Sequence, residues 1–397
     1  MPEAVSPKAG WTTVAFGDVI KKVTDKIDPY DSGLERYVAG EHMDTDDLRI
    51  RRWGQIGADY LGPAFHMRFK PGQVLYGSRR TYLRKVALAD FEGITANTTF
   101  ILESKDPEIL LPALVPFIMQ TERFHEHSKK ESKGSVNPYV NFSDLDWYEF
   151  ALPPIADQKK IVRLMQQIQS SLEALFNLIN TTQSTKLALF EYLISAKKPD
   201  RVPLGDLLLS PPRNGCSPAE SPSPTGHWVL ALSAITKWGY EPDQLKPVEL
   251  SDALKASTLQ RGDLAVSRSN TRDLVGLPMV FPEERTDISY PDTMMRLSFD
   301  QKSVSTNFME MCLRSPVVRR EIKSHAAGTS ASMKKINGKN LQKVLVPRLP
   351  IVQQEEILAQ VEGLNRAVKG ATIRWRDAGD LKRQLLEKSL IEQTPIK

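Results

Sequence analysis

The sequence predicts an α/β (α+β) chain built as a pseudo-twofold internal repeat: two mixed α/β globes separated by a pair of long antiparallel coiled-coil helices, one helix after each globe. Three observations lead there. Four short motifs recur in the same order in both halves, an apolar stripe of heptad character follows the last motif of each half, and 397 residues exceed what one core usually organises. A hydrophobic share of 41% with 25% charged residues is ordinary globular composition, which excludes disorder as the main state.

The first globe opens on Phe16-Gly17-Asp18-Val19-Ile20, and the middle of the chain restarts with Leu204-Gly205-Asp206-Leu207-Leu208. Gly72-Gln73-Val74-Leu75-Tyr76-Gly77-Ser78-Arg79 is echoed by Gly262-Asp263-Leu264-Ala265-Val266-Ser267-Arg268, each a glycine turn leading into a short apolar strand that ends in Ser-Arg. Lys133-Gly134-Ser135 answers Ala327-Gly328-Thr329. Pro154-Ile155-Ala156-Asp157-Gln158 answers Pro350-Ile351-Val352-Gln353-Gln354. Within the globes, β-rich runs such as Val86-Ala87-Leu88, Thr98 to Leu102, Phe150 to Leu152, Val229 to Ala231, Met294 to Phe299 and Val344 to Val346 read as strands, and Leu110 to Lys130 reads as helix despite Pro112 and Pro116.

Each Pro-Ile-x-x-Gln motif is followed by steps of four and three. In the first half the stripe is Ile161, Met165, Ile168, Leu172, Leu175 and Ile179; in the second it is Ile357, Val361, Leu364, Val368, Ala371 and Trp375. A buried amphipathic helix gives the same pattern once. Two stripes that coincide position for position predict helices packed on each other. A helix from about Ile161 to Ala196 is on the order of 50 Å long, and Lys197-Lys198-Pro199 marks its end.

The formal net charge of +5, from 53 Lys+Arg against 48 Asp+Glu, understates the local pattern. No acidic residue lies between Tyr60 and Ala89, where Arg68, Lys70, Arg79, Arg80, Arg84 and Lys85 occur beside Ser78, Tyr76 and Tyr82. None lies between Ile322 and Val352, which holds Lys323, Lys334, Lys335, Lys339, Lys343 and Arg348 beside Ser330, Ser332, Asn337 and Asn340. Arg49, Arg51 and Arg52 add to the first globe. One basic run is ordinarily a solvated surface; one per globe points to duplex DNA, with Lys/Arg on phosphates and Arg, Asn or Ser at base edges.

Catalytic chemistry is hard to find. No Gly-x-x-x-x-Gly-Lys-Ser/Thr loop occurs, and His125 and His127, two apart, face different sides of a helix. Asn137-Pro138-Tyr139 is better read as a turn than as a base-aligning motif. Asp292, Glu321 and Lys323 have the residue types of a metal-dependent nuclease, but Glu321 falls in a helical stretch instead of a strand. The chain reads as a non-enzymatic binder with no cofactor or metal of its own; a metal-dependent nuclease and a protein-only coiled-coil adaptor are the alternatives. Two cysteines, no apolar leader and no apolar run of about 18 residues predict an intracellular, soluble protein without a membrane span.

Trp11 with Phe16-Gly17-Asp18-Val19, the Gly72 to Arg79 strand, and above all Leu152-Pro153-Pro154-Ile155-Ala156-Asp157-Gln158-Lys159-Lys160-Ile161-Val162 before a long helix resemble the DNA-specificity subunit of type I restriction-modification systems. The second copy departs in Leu349-Pro350-Ile351, which lacks the double proline. The resemblance implies target-recognition domains at 1–155 and 199–348, spacer helices at 156–198 and 349–397, and recognition of a split double-stranded DNA site whose gap the helices set. It implies two methyltransferase subunits using S-adenosylmethionine and a restriction/translocase subunit using ATP and Mg, in the cytoplasm of a bacterium or archaeon. By the same resemblance, Arg68, Lys70, Ser78, Arg79, Arg80, Tyr82 and Lys133 of the first domain and Arg268, Ser269, Asn270, Lys334 and Lys335 of the second are the expected DNA contacts.

Overall fold

The computed structural model describes residues 8–58, 61–135, 137–328 and 333–391. Thr329, Ser330 and Ser332 of the second globe, and the outer ends of the expected first and last segments, lie outside these. The chain divides into two compact units: Met1–Ala174 together with Trp375–Lys397, and Leu175–Arg374. The boundary therefore falls inside both long helices, Ile155–Ala196 and Ile351–Leu386, and each unit contains part of each. Residues 155–174 and 375–386 of the two helices fall in unit 1, and residues 175–196 and 351–374 in unit 2.

In unit 1 an antiparallel sheet runs in the order Ile20–Val23, Thr99–Ser104, Val74–Gly77, Val86–Leu88. A second sheet, Gly54–Gln55, Arg36–Val38, Gly93–Ala96, Phe65–Phe69, is mixed, since Arg36–Val38 and Gly93–Ala96 pair in parallel. Thr12–Ala15 pairs antiparallel with Glu149–Leu152, directly before the central helix. Unit 2 repeats the plan. Arg213–Asn214, Met294–Leu297, Leu264–Ser267 and Pro278–Val280 form the antiparallel sheet. Leu245–Pro247, Trp228–Leu230 and Ile288–Ser289 form the mixed one, and Asp200–Pro203 pairs with Leu345–Arg348 before the terminal helix.

The Leu110 to Lys130 stretch is broken into a 3₁₀ turn Pro112–Leu114, a short helix Val115–Ile118 and a helix Glu122–Lys130. The break has a local cause. Thr121 is extended and its hydroxyl accepts the Phe124 N–H, so it caps a new helix where the expected one would have continued.

Gln158 and Gln354, the glutamines of the repeated motif, are buried and fasten each long helix to its globe. Gln158 Oε1 accepts from Leu111 N at 2.9 Å while its Nε2 donates to Ile109 O and Pro153 O, both at 2.8 Å. Gln354 Oε1 accepts from Ser305 N at 2.9 Å, and its Nε2 donates to Ser303 O at 2.9 Å and Leu349 O at 2.8 Å. In unit 1, Ile161, Met165 and Ile168 share a cluster with Leu385, Leu386 and Leu390. In unit 2, Leu189, Phe190 and Leu193 share one with Ile357 and Val361. The early part of one helix thus meets the late part of the other in each unit, so the pair is antiparallel. Ile179 and Val368 are also buried, and Leu172, Leu175, Leu364 and Trp375 are half-buried. Ile161 and Ile357 reach the globe cores as well as the partner helix.

Candidate nucleic-acid interface

Each unit ends its central sheet strand in the same construction. In unit 1 the chain leaves the sheet at Ser78, whose N and Oγ both donate to Thr98 O at 3.1 and 2.7 Å. Val140 N donates to Ser78 O at 2.9 Å, and Arg79 bridges antiparallel to Tyr139. Lys133 and Tyr139 exchange N–H···O bonds of 2.8 and 2.9 Å, closing a loop whose entry residue, Gly134, sits at φ +87°. In unit 2 Arg268 N donates to Thr293 O at 2.7 Å, Ile336 N donates to Arg268 O at 2.9 Å, and Ser269–Asn270 pairs with Lys334–Lys335. Ala327 and Lys335 exchange bonds of 2.8 Å, with Gly328 at φ +135°.

The register corrects one echo. Gly77 pairs with Thr99 and Ser267 with Met294 as the last ladder residues, so Ser78 corresponds to Arg268 and Arg79 to Ser269, one position from the Ser-Arg match read in the sequence. The two loops carry their cations at different points of the same frame.

The expected contacts separate into free and engaged side chains. Arg79, Arg80 and Lys335 are exposed with no ion pair among the described residues, and Tyr82 is 49% exposed beside them in sequence. Arg68 is bound by Glu92 at 2.6 Å, Lys70 stands 3.8 Å from Asp25, and Lys133 is held by Asp144 at 2.7 Å. The hydrogen bond from Lys133 and burial act oppositely on Asp144, and the bond wins, lowering its pKa; the same bond raises that of Lys133. Ser78 and Ser269 are buried, so neither presents a hydroxyl to a groove. Arg268 donates to Asp292 O at 3.2 Å, Asn270 Oδ1 accepts from Thr271 N at 2.9 Å, and Lys334 donates to Gly328 O. The sequence analysis did not name Arg272 and took Tyr139 only as part of a turn. Arg272 is exposed and unpaired among the described residues; its neighbour Asp273, which interrupts the basic pattern, is taken up by Lys323 at 2.7 Å. Tyr139, 40% exposed, stands on the loop hairpin opposite Arg79.

The nuclease constellation is not assembled. Asp292 N donates to Ser217 Oγ at 3.0 Å, Glu321 accepts from Leu345 N at 2.8 Å and faces Arg201 at 3.4 Å, and Lys323 is on Asp273. Glu321 lies on the helix Pro316–His325. His127 Nε2 is 2.8 Å from Asp144 O, a structural contact. Among the described residues no group of three or more His, Cys, Asp and Glu could hold a metal ion, and no helix is long and apolar enough to cross a membrane.

Residues 8–182 match the family model for the type I restriction modification DNA specificity domain. The chain is similar to the type I restriction enzyme EcoKI specificity subunit of Escherichia coli strain K12, 24% identical over 65% of this chain and 59% of that protein. It is also similar to the EcoDI specificity subunit of Escherichia coli, 26% identical over 40% of this chain and 34% of the relative. The chain thus spans about three fifths and one third of the lengths of these curated relatives. Two solved structures align over nearly the whole chain: the HsdS subunit from Thermoanaerobacter tengcongensis, at 16% identity and TM-score 0.42 over 97% of this chain and 98% of that one, and the type I restriction-modification S subunit from M. genitalium, at 12% identity and TM-score 0.46 over 100% and 99%.

Proposed function

We propose, from the match of residues 8–182 to the type I restriction modification DNA specificity domain, that the protein is the non-catalytic, DNA-reading subunit of a type I restriction-modification complex. Each globe grips one half of a bipartite duplex site through its strand-end loop and hairpin. Two methyltransferase subunits supply adenine methylation from S-adenosylmethionine, and a restriction/translocase subunit supplies ATP- and Mg-dependent movement and cleavage, in the cytoplasm of a bacterial or archaeal cell. The target-recognition domains are 1–155 and 199–348, with 156–198 and 349–397 as the spacer segments.

The observation that supports this reading best is the duplicated frame at Ser78–Tyr139 and Arg268–Lys335, with Arg79 and Arg80 free in one copy and Lys335 and Arg272 in the other. Free cations on a rigid strand end suit phosphates, and flanking polar side chains suit base edges. Long-read methylome sequencing of cells with and without the gene tests it. Loss of one two-part methylation motif on deletion is expected; persistence of every such motif rejects the proposal.

A further inference from the structure

We infer that Arg84 is a positioning residue for the DNA-reading loop of unit 1, and that Lys382 of the terminal helix braces it through Gln120 and Asp46, without either side chain touching DNA. The inference rests on the proposed DNA-reading role and goes beyond it by separating side chains that read from side chains that hold.

The loop needs holding. Thr81–Leu83 is a 3₁₀ turn flanked by Arg80 and Arg84, both in the left-handed region at φ 51° and 49°, a conformation unfavourable for residues with a β-carbon. The turn is closed by Leu83 N to Arg80 O at 2.8 Å and Arg84 N to Thr81 O at 2.9 Å. It is tied to the hairpin by Arg80 N to Pro138 O and by Thr81 Oγ1 with Ser132 Oγ at 2.7 Å. What remains free at its tip is the exposed pair Arg80 and Tyr82.

Every nitrogen of the Arg84 guanidinium is spent on the protein. Nε donates to Asp46 Oδ1 at 2.9 Å, Nη1 to Glu122 Oε2, and Nη2 to Gln120 O at 3.1 Å. Burial alone would lower its pKa, and the bonds to Glu122 and Asp46 outweigh that, so the guanidinium stays charged with two carboxylates of the protein as its counter-ions. Asp46, itself left-handed at φ 54°, returns a bond from its N to Arg84 O at 3.2 Å.

The brace continues into the helix. Gln120 Nε2 donates to Asp46 O at 2.9 Å, and Gln120 Oε1 accepts from Lys382 Nζ at 2.8 Å; the same ammonium donates to Gln169 Oε1 at 2.9 Å. A second strut runs alongside, with Glu387 Oε1 accepting from Glu122 N at 2.6 Å. Unit 2 lacks the device: among its described residues no non-glycine residue of the loop 268–272 has a positive φ, and Lys186, at the position equivalent to Lys382, donates only to Asn365, at 3.2 Å. The effect is therefore confined to one half of the site.

The test uses the full chain with its methyltransferase subunits and three duplexes: one carrying the motif mapped in the methylome, and two with either half scrambled. Arg84→Lys and Lys382→Met are expected to cut the preference over one scrambled half by about tenfold or more, leaving the other half's preference intact. The slope of log affinity against log salt should stay as in the unaltered protein, whereas Arg80→Ala should make it shallower by about 0.9. If Arg84→Gln makes the slope shallower by that amount, Arg84 grips phosphate and the inference is wrong; it is equally wrong if Lys382→Met, with unchanged circular dichroism, keeps both preferences. An unaltered complex that fails to tell the motif from either scrambled duplex rejects the DNA-reading role itself.

Discussion

Charge read along a sequence is not charge read on a surface. The segment from Tyr60 to Ala89 has no acid of its own, yet Glu92, Asp25, Asp46 and Glu122, brought in from elsewhere in the chain, pair with Arg68, Lys70 and Arg84. Composition could show that cations cluster; only the fold shows which of them remain available to a phosphate. Arg79→Ala is therefore expected to weaken duplex binding and make the salt slope shallower by about 0.9, while Arg68→Ala leaves the slope unchanged. Fluorescence anisotropy across a salt series reads both. Burial is equally invisible along the sequence: Ser78, expected at a base edge, is buried with its hydroxyl donating to Thr98 O at the end of the strand.

The long helices were legible because their signal is periodic and repeated. The break at Thr121 was not, since a threonine cap is a single-residue signal inside an otherwise helical stretch. Polar members of the stripe were also missed. Lys186 and Lys382 occupy equivalent positions of the two helices and are buried, with carboxamide oxygens as their hydrogen-bond partners. Burial pushes both ammonium groups down to about 8 from 10.5. Between those two pH values the unfolded chain holds protons that the folded chain has released, so stability rises with pH across that window, by up to about 1.4 kcal/mol per pH unit for each lysine. Below pH 8 both states are protonated and the contribution is flat. Urea midpoints measured from pH 7.5 to 10 should climb more steeply for the unaltered chain than for Lys186→Met; equal slopes would contradict the burial argument. The motif glutamines give a second element-scale expectation. Gln158→Ala or Gln354→Ala leaves the part-buried backbone N–H of Leu111 or Ser305 without its partner, and should cost about 1–2 kcal/mol in denaturant unfolding.

At the scale of the whole molecule, the matched halves account for the modest net charge: acids elsewhere in the chain offset a basic run in each globe. On the proposed function the helices set the gap in the recognised site. One heptad inserted into both helices adds roughly 10 Å of helix, and at about 3.4 Å per base pair the gap should grow by about three base pairs. Single-molecule sequencing of methylated sites would show it, and an unchanged gap would remove the helices from that role.

The division of the chain also carries a consequence for its folding. Unit 2, Leu175–Arg374, is one uninterrupted stretch, whereas unit 1 joins Met1–Ala174 to Trp375–Lys397. Contacts distant in sequence cost loop-closure entropy before they are rewarded. Leu386 and Leu390 belong to the first core, and Lys382 and Glu387 donate and accept at its loop, yet all four follow the whole of unit 2 in the sequence. Closing the first core therefore requires segments on either side of unit 2 to meet, a long-range step that unit 2 does not need.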